Sequence, residues 1–247
     1  MCGLFSSVIL RNRKVIIDME NTERERTEIP LLSVVVPVYN EENVIVEFHE
    51  RLEKVLDRID GLAEIIYVND GSHDQTLGIL RELNKNEERV AVLNLSRNFG
   101  KEIALSAGLD YSHGEAVIII DADLQDPPEL IPQLVTRWRQ GFDVVYATRT
   151  ARSGETFFKK MTAKYFYRIL RIVSRVEIPP DTGDFRLLSR RAVMSLGKLR
   201  EQHRFMKGLF SWIGYPQTSV SYHRDPRFAG ETKWGSSQEL VHGETVE

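Results

Sequence analysis

Cysteine is almost absent from this sequence: Cys2 is the single one in 247 residues. That excludes an internal disulfide framework and is compatible with a reducing compartment. The six histidines are scattered and nowhere take up zinc-ligand spacing. Long apolar runs are missing too; none approaches the roughly 20 residues that cross a bilayer. So is an excess of positive charge. The formal net charge is −3, which argues against a nucleic-acid partner engaged by the whole surface. No internal repeat and no low-complexity tract interrupts the chain. At the start, "MCGLFSSVIL" precedes its basic cluster "RNRK", the reverse of a secretory leader. "MENTERERTEIP" after it is charged and turn-prone. Residues 1–30 therefore read as an extension, mobile and of little structural consequence.

What is present is an alternation. "LSVVVPV" is β-branched and nearly all apolar, as a fully buried strand should be. "NVIVEFHERLEKVLDRID" has helical periodicity and ends at Gly61. "EIIYVND", "RVAVLNL", "EAVIII" and "FDVVYAT" read as further strands. Between them lie helices over "DQTLGILRELNKN", which Ser72 or Asp74 would cap, "GKEIALSAGLDYS" and "PPELIPQLVTRWRQ". Strands separated by helices of this length give βαβ units. The expected class is α/β, with a mainly parallel central sheet flanked by helices, in one domain over 31–235.

Ligands of such sheets bind beyond the carboxyl ends of the strands, and the polar residues collect there. Tyr39, Asn40 and Glu41 follow the first strand, Asn69 and Asp70 end the second, and Asp121 and Asp123 end the fourth. In "AVIIIDADLQDPPE" an apolar run stops at two aspartates. Residues i and i+2 of an extended segment share a side, so both carboxylates can approach one cation. Gln125 offers an amide oxygen two residues on. All-oxygen ligation suits Mg2+ or Mn2+. The plainer alternative is a pair of turn or capping aspartates before the helix at Pro127. "SRNFGKE" leaves two readings as well: Arg97 or Lys101 near phosphate at a helix start, or simple packing of that helix on the sheet. Lys101 is therefore not counted among the expected site residues.

The ordered motifs "VVVPVYNEE", "VNDGSHDQT", "LSRNFGKEIALSAGL", "DADLQDPPE", "DTGDFRLLSRR" and "RFAGETKW" resemble the inverting family 2 glycosyltransferases of the GT-A fold, over about residues 31 to 234. More narrowly they are similar to polyprenyl-phosphate glycosyltransferases, such as dolichol-phosphate mannose synthases and bactoprenol glucosyltransferases. The resemblance implies nucleotide contacts by Pro37, Tyr39, Glu41, Val68, Asp70, Asp121, Ala122, Asp123, Arg149, Arg227 and Lys233. It implies a metal held by Asp121, Asp123 and Gln125. Asp184 matches the acceptor-side acid, and Arg186 is placed to meet the lipid phosphate.

The implied reaction moves a sugar from a UDP- or GDP-sugar, UDP-glucose being favoured, to undecaprenyl or dolichyl phosphate with inversion. Two alternatives stay open: transfer to a polysaccharide or other soluble acceptor, and an inactive nucleotide-sugar-binding module. Residues 157–175, "FFKKMTAKYFYRILRIVSR", carry six basic residues and no acid. Lys160, Lys164, Arg168, Arg171 and Arg175 form a stripe with Phe158, Phe166, Ile169 and Val173 on the remainder. Such a helix can lie in the plane of an anionic membrane, or be a solvated face over a core. The family usually continues from "ETKW" into membrane-anchoring segments. Here residues 236–247 are polar, so the expectation is a chain peripheral to the cytoplasmic side of the membrane or in the cytoplasm, with a homo-oligomer or an anchoring partner subunit open.

Overall fold

The computed structural model describes residues 5–10, 13–19, 29–149, 182–199, 209–210 and 212–222. Two short strands come first, β1 (Phe5–Leu10) and β2 (Arg13–Met19). The α/β body then runs β3 (Leu32–Val38), α1 (Ile45–Leu56), β4 (Ala63–Asn69), α2 (Thr76–Asn86), β5 (Val90–Leu95), α3 (Lys101–Tyr111) and β6 (Ala116–Ile119). After a 3-10 turn over Pro128–Leu130 come α4 (Ile131–Arg139), β7 (Val144–Arg149), β8 (Thr182–Ser189), α5 (Arg190–Lys198) and β9 (Gln217–Tyr222).

Among the described residues nine strands form one sheet, in the order β1-β2-β5-β4-β3-β6-β8-β7-β9. The central four, β5-β4-β3-β6, are parallel. β2 and β8 run against the other seven. The expected α/β class with a mostly parallel sheet is what forms. The extension is different from its expectation: β1 and β2 pair antiparallel, and β2 adds to β5 through Ile17↔Leu95. Its short apolar runs, "FSSVIL" and "RKVIIDM", stand two residues apart, a hairpin spacing. The charged stretch behind them masked that signal.

Side chains of each central strand alternate between two cores, as a period of two requires. Val34, Val36 and Val38 join the core under α1, α2 and α4, with Phe48, Leu52, Leu80, Ile131 and Leu134. Val35 faces the other way, into the core under α3 and α5, with Leu105, Leu109, Ala192 and Leu196. α1 buries Ile45, Phe48, His49, Leu52, Val55 and Leu56, one helical stripe. It ends at Leu56, earlier than the periodicity implied. Arg58 N and Ile59 N bond to the carbonyls of Val55 and Leu56, tightening the chain before Gly61 turns it at φ 127°. The helix read from Pro127 likewise starts as a 3-10 turn, and the α-helix begins beside Pro132, which has no N–H to continue an earlier ladder. Of the two expected caps of α2, Asp74 is the one that bonds its start, accepting from Thr76 N at 3.0 Å.

At Gly108, α3 packs directly on the sheet valines. A Cβ there would stand 2.3 Å from Val35 Cγ1 and 3.1 Å from Val68 Cγ2. Alanine favours a helix interior over glycine by about 1 kcal/mol. Overpacking against a stiff, buried valine costs about 1–3 kcal/mol. The second effect wins, so Gly108→Ala lowers stability, read as an earlier urea midpoint with unchanged slope.

Candidate functional site

The chain goes from β3 to β4 on one side and later returns to β6 on the other. The sheet is therefore wound in opposite directions about β3 and β6, and their carboxyl ends flank the natural ligand crevice. Pro37 stands where the two part. Val35 O accepts from Ile120 N at 3.2 Å, and Val38 O accepts from Asp70 N at 2.9 Å. Backbone polar groups alternate sides, so those of Pro37 face β6, whose pairing with β3 ended at Val35↔Ile119. A residue without an N–H loses no ladder bond there.

The loop after β3 is stitched to the loop after β4. Asn40 N donates to Ser72 Oγ at 2.9 Å, and Asn40 Oδ1 accepts from His73 N at 2.8 Å. Glu41 N donates to Thr76 Oγ1 at 2.8 Å, while its carbonyl accepts from Val44 N and Ile45 N to begin α1. Asn40 holds φ 53°, a conformation that asparagine tolerates better than most residues. Half-buried Tyr39 meets the His73 ring edge-on, 6.4 Å between centroids. The expected residues Pro37, Tyr39 and Glu41 thus line one side of the crevice.

Asp70 is fully buried at the end of β4. Its two oxygens accept from Phe99 N at 2.8 Å and Gly100 N at 2.9 Å. Burial pushes its carboxyl above the usual range, against the pull of those two N–H groups. Asp70 thereby fixes the loop that launches α3, where Gly100 turns at φ 97°. The first residue of that helix is Lys101.

β8 runs backwards, so its first residues, not its last, reach the carboxyl edge. It pairs with β6 through Ile119↔Arg186. Two further steps of that register bring Asp121 opposite Asp184. Two carboxylates facing one another need a cation or a shared proton, and here Lys101 supplies the cation. Lys101 Nζ donates to Asp121 Oδ2 at 2.7 Å and to Asp184 Oδ2 at 2.6 Å. Burial alone would lower the ammonium; the two carboxylates reverse that and hold it above the usual lysine range. Asp121 is raised by burial and by Asp184, with Lys101 opposing. In the sequence the lysine is ambiguous, because a helix start on a sheet has many packing reasons. The signal for it was present in "SRNFGKE", but only the fold reveals its two partners.

Past Asp121 the chain turns sharply. Asp123 Oδ1 accepts from Gln125 N at 3.0 Å, and buried Leu124 sits at φ 59°. A leucine in that region is strained backbone, held by its burial. Buried Asp126 accepts from Tyr222 Oη, which ties the loop to the end of β9. Sequence reading gave neither Asp126 nor Tyr222 a role; a lone Asp–Tyr pair 96 residues apart leaves no motif.

Other expectations are placed differently. The side chains of Val68 and Ala122 are buried in the two cores, so neither presents its side chain to a ligand. Arg186 shares the α3 face of β8 with Asp184, but it does not reach outward. Only 4% exposed, it donates to the carbonyls of Gly183 at 2.8 Å and Asp184 at 3.2 Å, and lies 4.0 Å over the Phe210 ring. Burial lowers its pKa to about 10. The correction is that Arg186 braces the backbone of Asp184 from within; its guanidinium is covered by the Phe210 ring and does not reach the surface. Arg227, Lys233, the Arg149 side chain and the basic segment 157–175 lie outside the described residues.

No group of three histidine, cysteine or acidic residues forms a ready metal cage among the described residues. Mg2+ and Mn2+ do not need one: they take one or two carboxylates, with phosphate and water oxygens completing the shell. Asp121, Asp123 and Gln125 on one loop match that donor chemistry, and a cation of the chain itself already rests on Asp121.

The sequence profile of glycosyl transferase family 2 matches residues 33–197. The chain is similar to a glycosyltransferase of Synechocystis, 55% identical over 82% of this chain and 64% of that one. It is also similar to a prophage bactoprenol glucosyl transferase homolog of Escherichia coli, 43% identical over 82% of this chain and 66% of the other. It thus spans about two thirds of the length of these relatives. Among solved structures, it superposes on a mannosyltransferase of Pyrobaculum calidifontis in complex with GDP-Man and Mn2+, with a TM-score of 0.56 at 20% identity, covering 79% of this chain and 56% of that one. A glucosyl-3-phosphoglycerate synthase of Mycobacterium tuberculosis gives 0.50 at 22% identity, covering 81% and 73%. The fold is the nucleotide-sugar-binding GT-A fold. The chain belongs to glycosyl transferase family 2.

The anchoring of α3 by Asp70 is directly testable. An asparagine there offers one carbonyl oxygen to two N–H donors and turns its own N–H2 towards one of them. Leaving a buried donor unsatisfied costs about 1–3 kcal/mol; both amides are part-buried and Gly100 N keeps Asn98 Oδ1 at 3.0 Å as a second acceptor, which puts the loss at the low end of that range. Asp70→Asn lowers stability by that amount, and hydrogen exchange at the Phe99 and Gly100 amides quickens by more than the global loss explains.

Proposed function

We propose that the chain transfers a sugar from a nucleotide-sugar donor to a polyprenyl phosphate, with inversion at the sugar carbon. UDP-glucose is the favoured donor, in keeping with the bactoprenol glucosyl transferase names among the relatives. The observation that carries this reading is the meeting of Asp121 and Asp184 across the crevice end, one on the metal loop, the other on the neighbouring strand.

The donor lies in the crevice between β3 and β6, its nucleoside against Tyr39 and Glu41. A divalent cation, when bound by Asp121, Asp123 and Gln125, offsets charge on the departing diphosphate. Asp184 faces the acceptor. A phosphate oxygen of the lipid forms a bond to the anomeric carbon as the bond to the diphosphate breaks, and the electron pair leaves with the nucleoside diphosphate. The acceptor phosphate, with a second pKa near ~6, is largely a dianion at neutral pH. No proton has to be removed, so Asp184 orients the acceptor or the sugar hydroxyls. Rigid placement of this carboxylate, with Arg186 bracing its backbone, is its contribution. Among the described residues no helix is long and apolar enough to cross a membrane. Contact with the lipid falls to segments such as 157–175, and with them the peripheral location on the cytoplasmic membrane face.

Two substitutions separate the halves of the site. Asp123→Asn weakens Mn2+-dependent UDP binding and abolishes transfer. Asp184→Asn leaves UDP affinity within about twofold and reduces turnover about 100-fold or more, the scale of one lost positioning group. Radiolabelled transfer to undecaprenyl phosphate in detergent, beside a titration with UDP and Mn2+, reads both. Nucleotide affinity falling in step with turnover in Asp184→Asn contradicts the acceptor-side assignment. Label passing to a soluble glycan and not to the lipid contradicts the acceptor class.

A further inference from the structure

Lys101 touches both halves of the proposed site. Its ammonium lies 2.7 Å from Asp121 Oδ2 and 2.6 Å from Asp184 Oδ2. All three side chains are partly open, 21%, 28% and 19% exposed, so an incoming ligand reaches them. The backbone that carries the lysine is held in place. Lys101 opens α3, and the two preceding residues are pinned by Asp70 through the N–H groups of Phe99 and Gly100.

We propose that Lys101 is a resident cation that makes divalent-metal binding at Asp121 conditional on the nucleotide diphosphate. A bare Mn2+ approaching Asp121 meets a carboxylate already neutralised at hydrogen-bond distance, and it is repelled by the ammonium. A nucleotide diphosphate alters that balance. Its phosphate oxygens complete the metal's shell, and their negative charge offsets the crowding of two cations. Asp121 then turns to the metal. Lys101 keeps its bond to Asp184, holding the acceptor-side carboxylate in place while the donor side is loaded. Lys101 is thus a positioning residue that links occupancy of one half-site to the geometry of the other. This inference rests on the assignment of Asp121 as a metal ligand.

Mn2+ titration of the full chain, followed by the electron-paramagnetic-resonance signal of free Mn2+, tests it without any turnover. The wild type takes up Mn2+ weakly alone and much more tightly with UDP. Lys101→Met binds Mn2+ in the absence of UDP about tenfold or more tightly than the wild type, the scale of one close charge removed from a half-exposed site. Lys101→Gln, which keeps an N–H donor without the charge, does the same and guards against loss of folding in the methionine variant. Lys101→Arg restores weak binding without UDP. A role confined to packing does not raise metal affinity when the charge is deleted. Equal Mn2+ affinity of wild type, Lys101→Met and Lys101→Gln without UDP overturns the inference and leaves the metal assignment standing. No uptake of Mn2+ by the wild type even with UDP overturns the metal assignment, and the inference with it.

Discussion

Two carboxylates brought face to face at the ends of adjacent strands cannot be left alone. Like charges about 5 Å apart repel by about 3 kcal/mol at an effective dielectric of about 20, less where water screens them. The antiparallel pairing of β6 and β8 ends at Ile119↔Arg186, and beyond it Asp121 and Asp184 meet on Lys101. Lys101 resolves the repulsion, and the position of Lys101 rests in turn on Asp70. Three strands, β4, β6 and β8, therefore contribute one carboxylate each to a single electrostatic unit organised around the first turn of α3. Much of the rest of the fold serves to keep α3 where it is. Gly108 lets the helix approach Val35 and Val68, and the second core holds its apolar face.

Strain is confined to the same edge. Asn40 and Leu124, the two non-glycine residues with left-handed backbone among the described residues, stand at the ends of β3 and β6 on either side of the crevice. Each is over-determined by its surroundings: Asn40 by bonds to Ser72 and His73, Leu124 by its burial and by the Asp123–Gln125 turn beside it. Cores favour relaxed conformations, and loops that must hold polar groups at fixed positions tolerate unfavourable ones. Asp126 adds a tie from this loop to Tyr222 on β9, so the loop is also held at its far end.

The fold was legible because the central strands are apolar runs punctuated by helices of ordinary length. β-branched blocks such as "LSVVVPV" and "EIIYV" have one stable place, the middle of a covered sheet. The strand ends were legible for the same reason: Asp70 and Asp121 break apolar runs. Less legible was anything that depends on pairing between distant strands. The reversal of β8, which puts Asp184 rather than Ser189 at the working edge, follows from sheet order and leaves no mark in the residues themselves. Arg186 shows the cost of reading by motif. Asp184 reaches Lys101 at the strand edge, and two residues on, the same strand face is already covered by Phe210. Val68 in the buried sheet and Ala122 in the turn after β6, both small and apolar, followed composition in their side chains. Lys101 was visible but ambiguous, since its meaning lies in two aspartates, 20 and 83 residues away.

The central claim is spatial: the carboxyl ends of β3 and β6, with the start of β8, form one site for a nucleotide diphosphate and its metal. A crystal of the full chain grown with UDP and Mn2+, and measured at the manganese absorption edge, tests it most directly. The account predicts one anomalous peak, with Asp121 or Asp123 and the diphosphate oxygens as its ligands, in the crevice beside Pro37, and Lys101 within hydrogen-bond distance of Asp184. A diphosphate bound away from that crevice, or manganese held by residues of other strand ends, would contradict it.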